Sequence, residues 1–381
     1  MEMRYIAKDI PLWQVTIWDK KFNNVDKKWQ PKTIKYKYLL SDELDSLRVD
    51  DGDVRILYTG KDVGFTTEEL AGDRLSEGEI ISIPWGGIPT VKYHKGKFVT
   101  GDNRIATSKD IDKLTNKYLY YFMRGNIHEI ASYYRGASLK HPCMKDILKM
   151  TISYPSVQEQ DKICGQFDVL EQIIEVRKQE LQLLDDLIKA RFVEMFGNPD
   201  LNEKEWDINK MERLCEVSSS KRIYQNEQSV IGIPFLRISD LVNRMDTGSK
   251  ECDLYIPEEK YEELKDQGLV PIKGDILLTA RGTLGRCYII QENDEFYFQD
   301  GMITWLSNFN EKITSLYIAY LFSMPGFRKQ IDALQAGSTV AYLSISMTKK
   351  LDIMVPPIEL QNQFADFVHQ VDKSKVIEII K

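Results

Sequence analysis

The stretch YPSVQEQDKICGQFDVL, Tyr154–Leu170, is echoed by VPPIELQNQFADFVHQV, Val355–Val371. Each is a proline-led turn running into a glutamine-containing amphipathic segment, and the two lie 201 positions apart. The echo extends backwards in order. Gly136 of RGASLKH pairs with Gly337 of AGSTVAY at the same offset, and Tyr118 and Tyr121 of YLYYFM match Tyr317 and Tyr320 of YIAYLF at 199. Asp102 of VTGDNRIAT matches Asp300 of YFQDGMITW at 198, and Gly78 and Ile80 of GEIISI match Gly274 and Ile276 of GDILLT at 196. The offset drifts one way, as it does when one copy gains residues in several loops. This is an internal duplication with a period far beyond that of solenoid repeats. It predicts two homologous domains of ordinary size.

Each half reads as mixed α and β. GEIISIPW and GDILLTA run apolar over strand length after a Gly-acid pair. KLTNKYLYYFMRG and ITSLYIAYLFSM carry apolar residues at helical spacing and stop at Gly or Pro-Gly. Between the halves, Ile163, Phe167, Leu170, Ile174, Leu181, Leu184, Ile188 and Met195 follow alternating steps of four and three, with Arg177 and Arg191 in the remaining seats. Gly197 and Pro199 end that run. The second copy keeps the register at Phe364, Val368 and Val371. Two such narrow seams are expected to pair as antiparallel helices. Because the second run, Ile358–Lys381, is the shorter, Leu184, Ile188 and Met195 are expected to need a further partner. The fold class is α+β: two homologous mixed α/β domains, separated by long helices that pair as an antiparallel coiled coil. The expected division is 1–155, first domain; 156–197, central helical spacer; 198–356, second domain; and 357–381, a short distal helix pairing with the central one.

The sequence of 381 residues is 43% hydrophobic and 29% charged. It has no run of 18 apolar residues, and MEMRYIAKDI lacks a signal-peptide pattern, so a cytoplasmic protein without membrane association is expected. Cys143, Cys164, Cys215, Cys252 and Cys287 never form CxxC and read as idle thiols of a reducing compartment. The four histidines show no metal-ligand spacing, and no metal is expected. A net charge of −7 argues against a nucleic-acid partner. Yet Ile81 to Pro155 holds 12 basic and 5 acidic residues, and the field of a face matters more than the sum over a chain.

Catalytic signatures are missing: there is no GxGxxG after a strand, no GxxxxGK[ST], no HExxH and no GxSxG. PEEKYEELK, Pro257–Lys265, has the acid-x-Lys spacing of some nucleases but reads better as a solvated helix face. The loops after the matched strands are more informative. TARGTLGR places Arg281, Thr283 and Arg286 around two glycines, which let a backbone approach a surface while arginine reaches phosphate or a guanine edge. WGGIPTVKYHKGK carries Lys92, Tyr93, Lys95 and Lys97 after Trp85 and its glycines. RGASLKH and QAGSTVAY form a second matched loop, with Ser138, Lys140, Ser338 and Thr339 as donors. Arg104, Arg135 and Arg237 complete the candidate DNA-binding set.

Two variable domains, each closed by a Pro-led, Gln-containing turn into a long helix, resemble the DNA specificity subunit of type I restriction–modification systems. LIKARFVEMFGNP, Leu187–Pro199, is similar to that family's central helix end. GSTVAYLSISMTKKLDIMVPPIELQNQF, Gly337–Phe364, is similar to its approach to the distal helix. The resemblance implies a non-catalytic subunit whose two target recognition domains each read one part of an asymmetric, bipartite site on double-stranded DNA. It implies paired helices that set the spacer and dock two methyltransferase subunits, and it allows for motor-nuclease subunits as well. S-adenosylmethionine, Mg and ATP would sit on those partners, with no cofactor in this chain. Two readings compete: a coiled-coil adaptor that organises proteins without reading DNA, and a nuclease centred on Glu259–Lys265.

Overall fold

The runs SEGEIISIP and KYHKGKFVT, rich in β-branched and aromatic residues, form the two longest strands of the first half. The computed structural model describes residues 5–19, 33–60, 63–334 and 341–380, and two compact units divide the chain as Met1–Glu175 and Val176–Lys381. In the first unit the strands are β1 (Tyr5–Pro11), β2 (Thr16–Asp19), β3 (Thr33–Ile34), β4 (Val54–Leu57), β5 (Val63–Thr66), β6 (Ser76–Pro84), β7 (Lys92–Thr100), β8 (Asn103–Ser108), β9 (Tyr134–Arg135), β10 (His141–Pro142) and β11 (Thr151–Pro155). In the second they are β12 (Asp207–Lys210), β13 (Glu216–Ser218), β14 (Ile233–Leu236), β15 (Tyr255–Ile256), β16 (Ile276–Thr279), β17 (Cys287–Ile289), β18 (Tyr297–Phe298), β19 (Ile303–Ser307) and β20 (Asp352–Val355).

The duplication is visible in the strand order. The first unit has a seven-stranded sheet, β3-β2-β8-β6-β7-β4-β5. The second has β13-β19-β16-β17 and β15-β14-β18. In both, the four central neighbours pair antiparallel: β2-β8-β6-β7 and β13-β19-β16-β17. Then β4 runs parallel to β7 and antiparallel to β5, as β14 does to β18 and β15. The long β7 therefore does in one strand what β17 and β18 do in two. A bridge from Tyr38 to Thr100 curls the first sheet back on itself. An outer antiparallel pair completes each unit, β1 with β11 and β12 with β20.

Each sheet packs on a helix that begins at a threonine cap. Thr115 Oγ1 accepts from Tyr118 N at the head of helix Asn116–Gly125, and Thr314 Oγ1 accepts from Tyr317 N at the head of Ser315–Ser323, both at 3.2 Å. Trp18, Ile81, Ile83 and Leu119 form the first core; Ile276, Leu278, Leu306, Tyr317 and Leu321 form the second.

The quoted glutamines explain the turn that follows. Gln160 is fully buried: its Oε1 accepts from Thr115 N (2.9 Å), and its Nε2 donates to Lys113 O (2.7 Å) and Pro155 O (2.9 Å). Gln361 repeats this set with Thr314 N (2.9 Å), Lys312 O (2.9 Å) and Pro356 O (2.8 Å). A buried amide with its hydrogen bonds satisfied locks the start of each long helix to the cap of the domain helix.

The central helix is one uninterrupted element, Val157–Phe196, about 60 Å long at 1.5 Å per residue. The distal helix runs Ile358–Ile380. Within the second unit the two meet. Phe364 lies 5.4 Å from Phe196 and 5.5 Å from Phe192, Arg191 stands over Phe367 at 5.8 Å, and Lys375 pairs with Asp185 at 2.6 Å. The partners descend along one helix as they ascend along the other, so the pair is antiparallel. That direction corrects one expectation. Ile188 and Met195 are buried and Leu184 packs beside them on Phe364, Val368 and Val371, so this end of the seam is already covered. The apolar residues left open are earlier: Phe167, Leu170 and Ile174 are each about half exposed, whereas Ile163 and Leu181 are partly buried.

Candidate nucleic-acid interface

In the second unit β13 and β16 end, and β17 and β19 begin, at the same edge of the sheet, as the pairs Ser218–Trp305, Thr279–Ile303 and Leu278–Cys287 require. Three loops meet there. ARGTLGR is pinned at its base. Thr279 Oγ1 donates to Thr283 O (2.5 Å) and accepts from Arg286 N (3.0 Å), and Gly285 N donates to Thr279 O (2.9 Å). Arg328 Nη1 donates to Leu284 O from below. Gly282 turns at φ +69°, a conformation that favours glycine, and leaves Arg281 and Thr283 exposed at the tip. The segment after the second matched loop lies alongside: Leu343 N donates to Ala280 O (3.0 Å), Arg281 and Tyr342 form an antiparallel bridge, and the Arg281 guanidinium sits 5.2 Å from the Tyr342 ring centre. Ser219–Arg222 arrives third, with Ser219 Oγ donating to Ile303 O (3.3 Å) and Arg222 paired to Asp300 (2.8 Å).

The first unit builds the same meeting from other residues. Trp85 N donates to Asp102 O (3.0 Å) as Ala280 N does to Met302 O (2.9 Å). Gly87 N donates to Lys140 O (3.3 Å), His141 Nδ1 bonds Trp85 O (2.7 Å), and the Trp85 and His141 rings lie 5.1 Å apart. Gly136 has φ +140°, and a Cβ there would stand 2.2 Å from Leu139 O, so only glycine closes this turn. Arg135, Ser138, Leu139 and Lys140 are exposed on it, beside exposed Ile88. Trp85, the counterpart of Ala280 by its bond to Asp102 O, thus lines this edge with His141 where Arg281 and Tyr342 line the other.

The sequence-derived residues fare unequally. Two are corrected. Arg104 is 3% exposed, with its guanidinium 3.9 Å from the Trp85 ring centre and Nη1 3.2 Å from Asp102, so it props the loop from inside and cannot reach DNA. Tyr93 packs against the first core and donates to Glu79 (2.8 Å); burial first, then that carboxylate, raises its hydroxyl pKa. Others are occupied. Lys92 Nζ donates to Tyr58 O (2.5 Å) and Gly60 O, Lys97 pairs with Glu68, and Lys95 stands 3.5 Å from Glu79. Arg237 is held by Asp240 (2.9 Å) and Asp253 (3.0 Å). Arg286 pairs with Asp246 (2.6 Å), a bond that holds the aspartate below the usual carboxylate range. Arg135 lies 4.0 Å from Asp146. Ser338 and Thr339 lie outside the described residues. What remains at the tips is Arg281 and Thr283 in one unit and Ser138 and Lys140 in the other. Sequence reasoning missed His141 and Tyr342, although they stand at the 201-residue offset of the opening echo.

Elsewhere the chemistry is structural. Glu258–Asp266 is an amphipathic helix that buries Tyr261 and Leu264, and its lysines pair with its own carboxylates, Lys260 with Glu263 (3.2 Å) and Lys265 with Glu262 (3.1 Å). Among the described residues no group of three or more His, Cys, Asp or Glu could hold a metal ion. Burial pushes the Cys164 thiol up to about 11 and the Cys215 thiol up to about 12, which makes both poor nucleophiles. No helix among the described residues is long and apolar enough to cross a membrane.

Comparison with known proteins gives the family and the fold. The family described as type I restriction modification DNA specificity domain matches residues 44–185 and 203–381, one match in each half. A Haemophilus influenzae protein named as a type I restriction enzyme specificity subunit is 26% identical over 307 residues, 78% of this chain and 75% of that protein. The MjaVIII specificity subunit of Methanocaldococcus jannaschii is 22% identical over 342 residues, 84% of this chain and 77% of that protein. In structure, the S subunit of a type I restriction–modification system from M. genitalium aligns with a TM-score of 0.55 at 15% identity, over 99% of this chain and 91% of that one, a likeness of fold.

Proposed function

The chain belongs to the type I restriction modification DNA specificity family, and from that premise we propose that it is the non-catalytic sequence-recognition subunit of such a system. Each unit reads one part of a bipartite duplex site through the loops at its sheet edge. One observation carries this reading: in each unit the loop leaving a central strand is tied to the neighbouring strand at its first residue, Trp85 N to Asp102 O and Ala280 N to Met302 O, and meets His141 or Tyr342, 201 residues apart, while the side chains at its tip differ. A constant backbone bearing variable tips is what two readers of different half-sites need, because base contacts specify while the scaffold sets register. The net acidic charge is tolerable where partner subunits supply much of the phosphate contact.

Catalysis falls to those partners. We assign N6-adenine methylation to two methyltransferase subunits carrying S-adenosylmethionine, and cleavage with Mg and ATP to a motor-nuclease subunit. The open stretch of the central helix supports a docking role. Phe167, Val169, Leu170, Ile173, Ile174 and Val176 are exposed within three turns, a contiguous apolar surface of the kind that marks a protein contact. The helices fix the spacer between the two reading units.

The test is a genome-wide adenine-methylation map of the source cells with this gene intact and deleted. Loss of one two-part motif on deletion is the expected result, and exchanging the segment Asn198–Pro356 should change one part of that motif only. An unchanged map, with a methyltransferase co-purifying and expressed, would sink the reading.

A further inference from the structure

Resting on that reading, we propose that Arg281 reads a guanine in the part of the site engaged by the second unit, with Tyr342 holding its guanidinium in position. Four observations converge. Arg281 is exposed at the tip of a loop whose base is fixed by Thr279, Gly285 and Arg328. Among the described residues it makes no ion pair, whereas the neighbouring Arg222, Arg237 and Arg286 are each held by aspartate. Its guanidinium lies against the Tyr342 ring, and the backbones of the two residues bridge, so side chain and scaffold are set together. Gly282 follows with φ +69°, leaving the tip slim enough for close approach.

The base follows from the donor. A guanidinium presents parallel N–H groups in a planar fork, and guanine alone offers two acceptors, O6 and N7, side by side on its major-groove edge. An arginine held over an aromatic ring keeps that fork oriented and gives up little further freedom on binding. A phosphate contact asks for less, a flexible charge; of Arg222, Arg237, Arg281 and Arg286, Arg281 alone is both fixed and free of carboxylate among the described residues. In the first unit this edge carries Trp85 and His141 instead of an arginine–tyrosine pair, so the guanine is specified by the second unit's part of the site.

The experiment uses the complete chain in complex with its methyltransferase partners and a pool of randomised DNA duplexes, selected by binding and sequenced. The wild type should yield a two-part motif with a guanine in the part that changes when 198–356 is exchanged. R281A should relax that single position and weaken binding to the guanine site roughly 5- to 150-fold, without altering the other part. R281Q should move the preference at that position towards adenine, whose N6 and N7 suit an amide. Y342L, which keeps the arginine but removes its rest, should blur the same position and no other. Equal weakening of every sequence by R281A would make Arg281 a phosphate contact and overturn the inference while leaving the DNA-reading function intact. An unchanged motif in R281A would overturn it equally. A wild-type complex that selects no two-part motif would bring down the function and the inference together.

Discussion

The starts of the two long helices and the tips of the two loop pairs have had opposite histories. Gln160 and Gln361 make the same three hydrogen bonds, to the same kinds of backbone atoms, within 0.2 Å of each other. The loop tips share one backbone bond at their base, Trp85 N to Asp102 O and Ala280 N to Met302 O, yet present Trp85 with His141 in one unit and Arg281 with Tyr342 in the other. Duplicated interior has been held; duplicated surface has diverged. The lesson is physical. A buried amide that loses a partner strands polar groups away from water, whereas an exposed side chain such as Arg281 can change at almost no cost to folding.

The comparison breaks most visibly where the halves differ inside. Phe364 is fully buried against Phe192, Phe196 and Tyr320, while Ile163, 201 residues earlier, is partly open. Phe364→Ala should cost about 3–5 kcal/mol by leaving a cavity in the aromatic cluster. Ile163→Ala should cost far less. Chemical denaturation of the full chain, followed by circular dichroism, would measure both; equal losses would mean that the distal helix contributes nothing special to its unit.

Next come the glutamines themselves. Gln160→Ala and Gln361→Ala each orphan one N–H and two carbonyls, so each should cost about 3 kcal/mol. The two losses should be close, with Gln361→Ala slightly the larger because it also gives up the bond from Thr314 Oγ1 (3.3 Å). A wide inequality in the same denaturation measurement would show that matching hydrogen bonds are embedded in unequal surroundings.

These residues also mark what the sequence could disclose. The repeat, its helices and the glutamine turns were legible because Gln160, Thr115 and Tyr118 recur in order as Gln361, Thr314 and Tyr317. Sheet order was not: β7 and the pair β17 and β18 hold equivalent places, and one-dimensional spacing does not reveal that a long strand replaces two. Charge pairing is not legible where the partner comes from afar. Lys97 finds Glu68 across 29 positions and Arg286 finds Asp246 across 40, so both looked available. Arg104 looked like a surface cation because its cover, Trp85, is brought over it only by the fold. The open end of the central seam was placed at Leu184–Met195 because residue spacing carries no information on which end of an antiparallel pair a short helix covers.

The tips invert the ranking of the interior. Trp85→Ala removes the ring over the buried Arg104 guanidinium, and should cost the first unit about 2 kcal/mol. Arg281→Ala touches nothing buried, and should leave the thermal transition of the second unit within about 0.5 kcal/mol of wild type. Thermal scans of both variants would sharpen the contrast between a tip used as a prop and a tip used as a probe. A large loss for Arg281→Ala would make that residue structural as well.

The smallest difference is one of acidity. Asp168 on the central helix accepts from Lys117 Nζ (2.6 Å) and Tyr121 OH (2.8 Å). Partial burial pushes its carboxyl up, but these two bonds outweigh it, and the group sits below the usual aspartate range. At the equivalent place, 201 residues on, stands His369, and Lys117 is replaced 199 residues on by Leu316. A depressed folded-state value means stability that is present above the unfolded aspartate value of about 3.9 and is lost as pH falls through the folded one. Acid should therefore loosen the start of the central helix in the first unit through a contact the second unit lacks. Asp168→Asn should remove that part of the acid dependence while lowering stability slightly at neutral pH. Hydrogen exchange over residues 157–175, followed from pH 6 to pH 3 in wild type and variant, would detect it; parallel pH profiles would show that Asp168 adds no pH-linked hold on the helix.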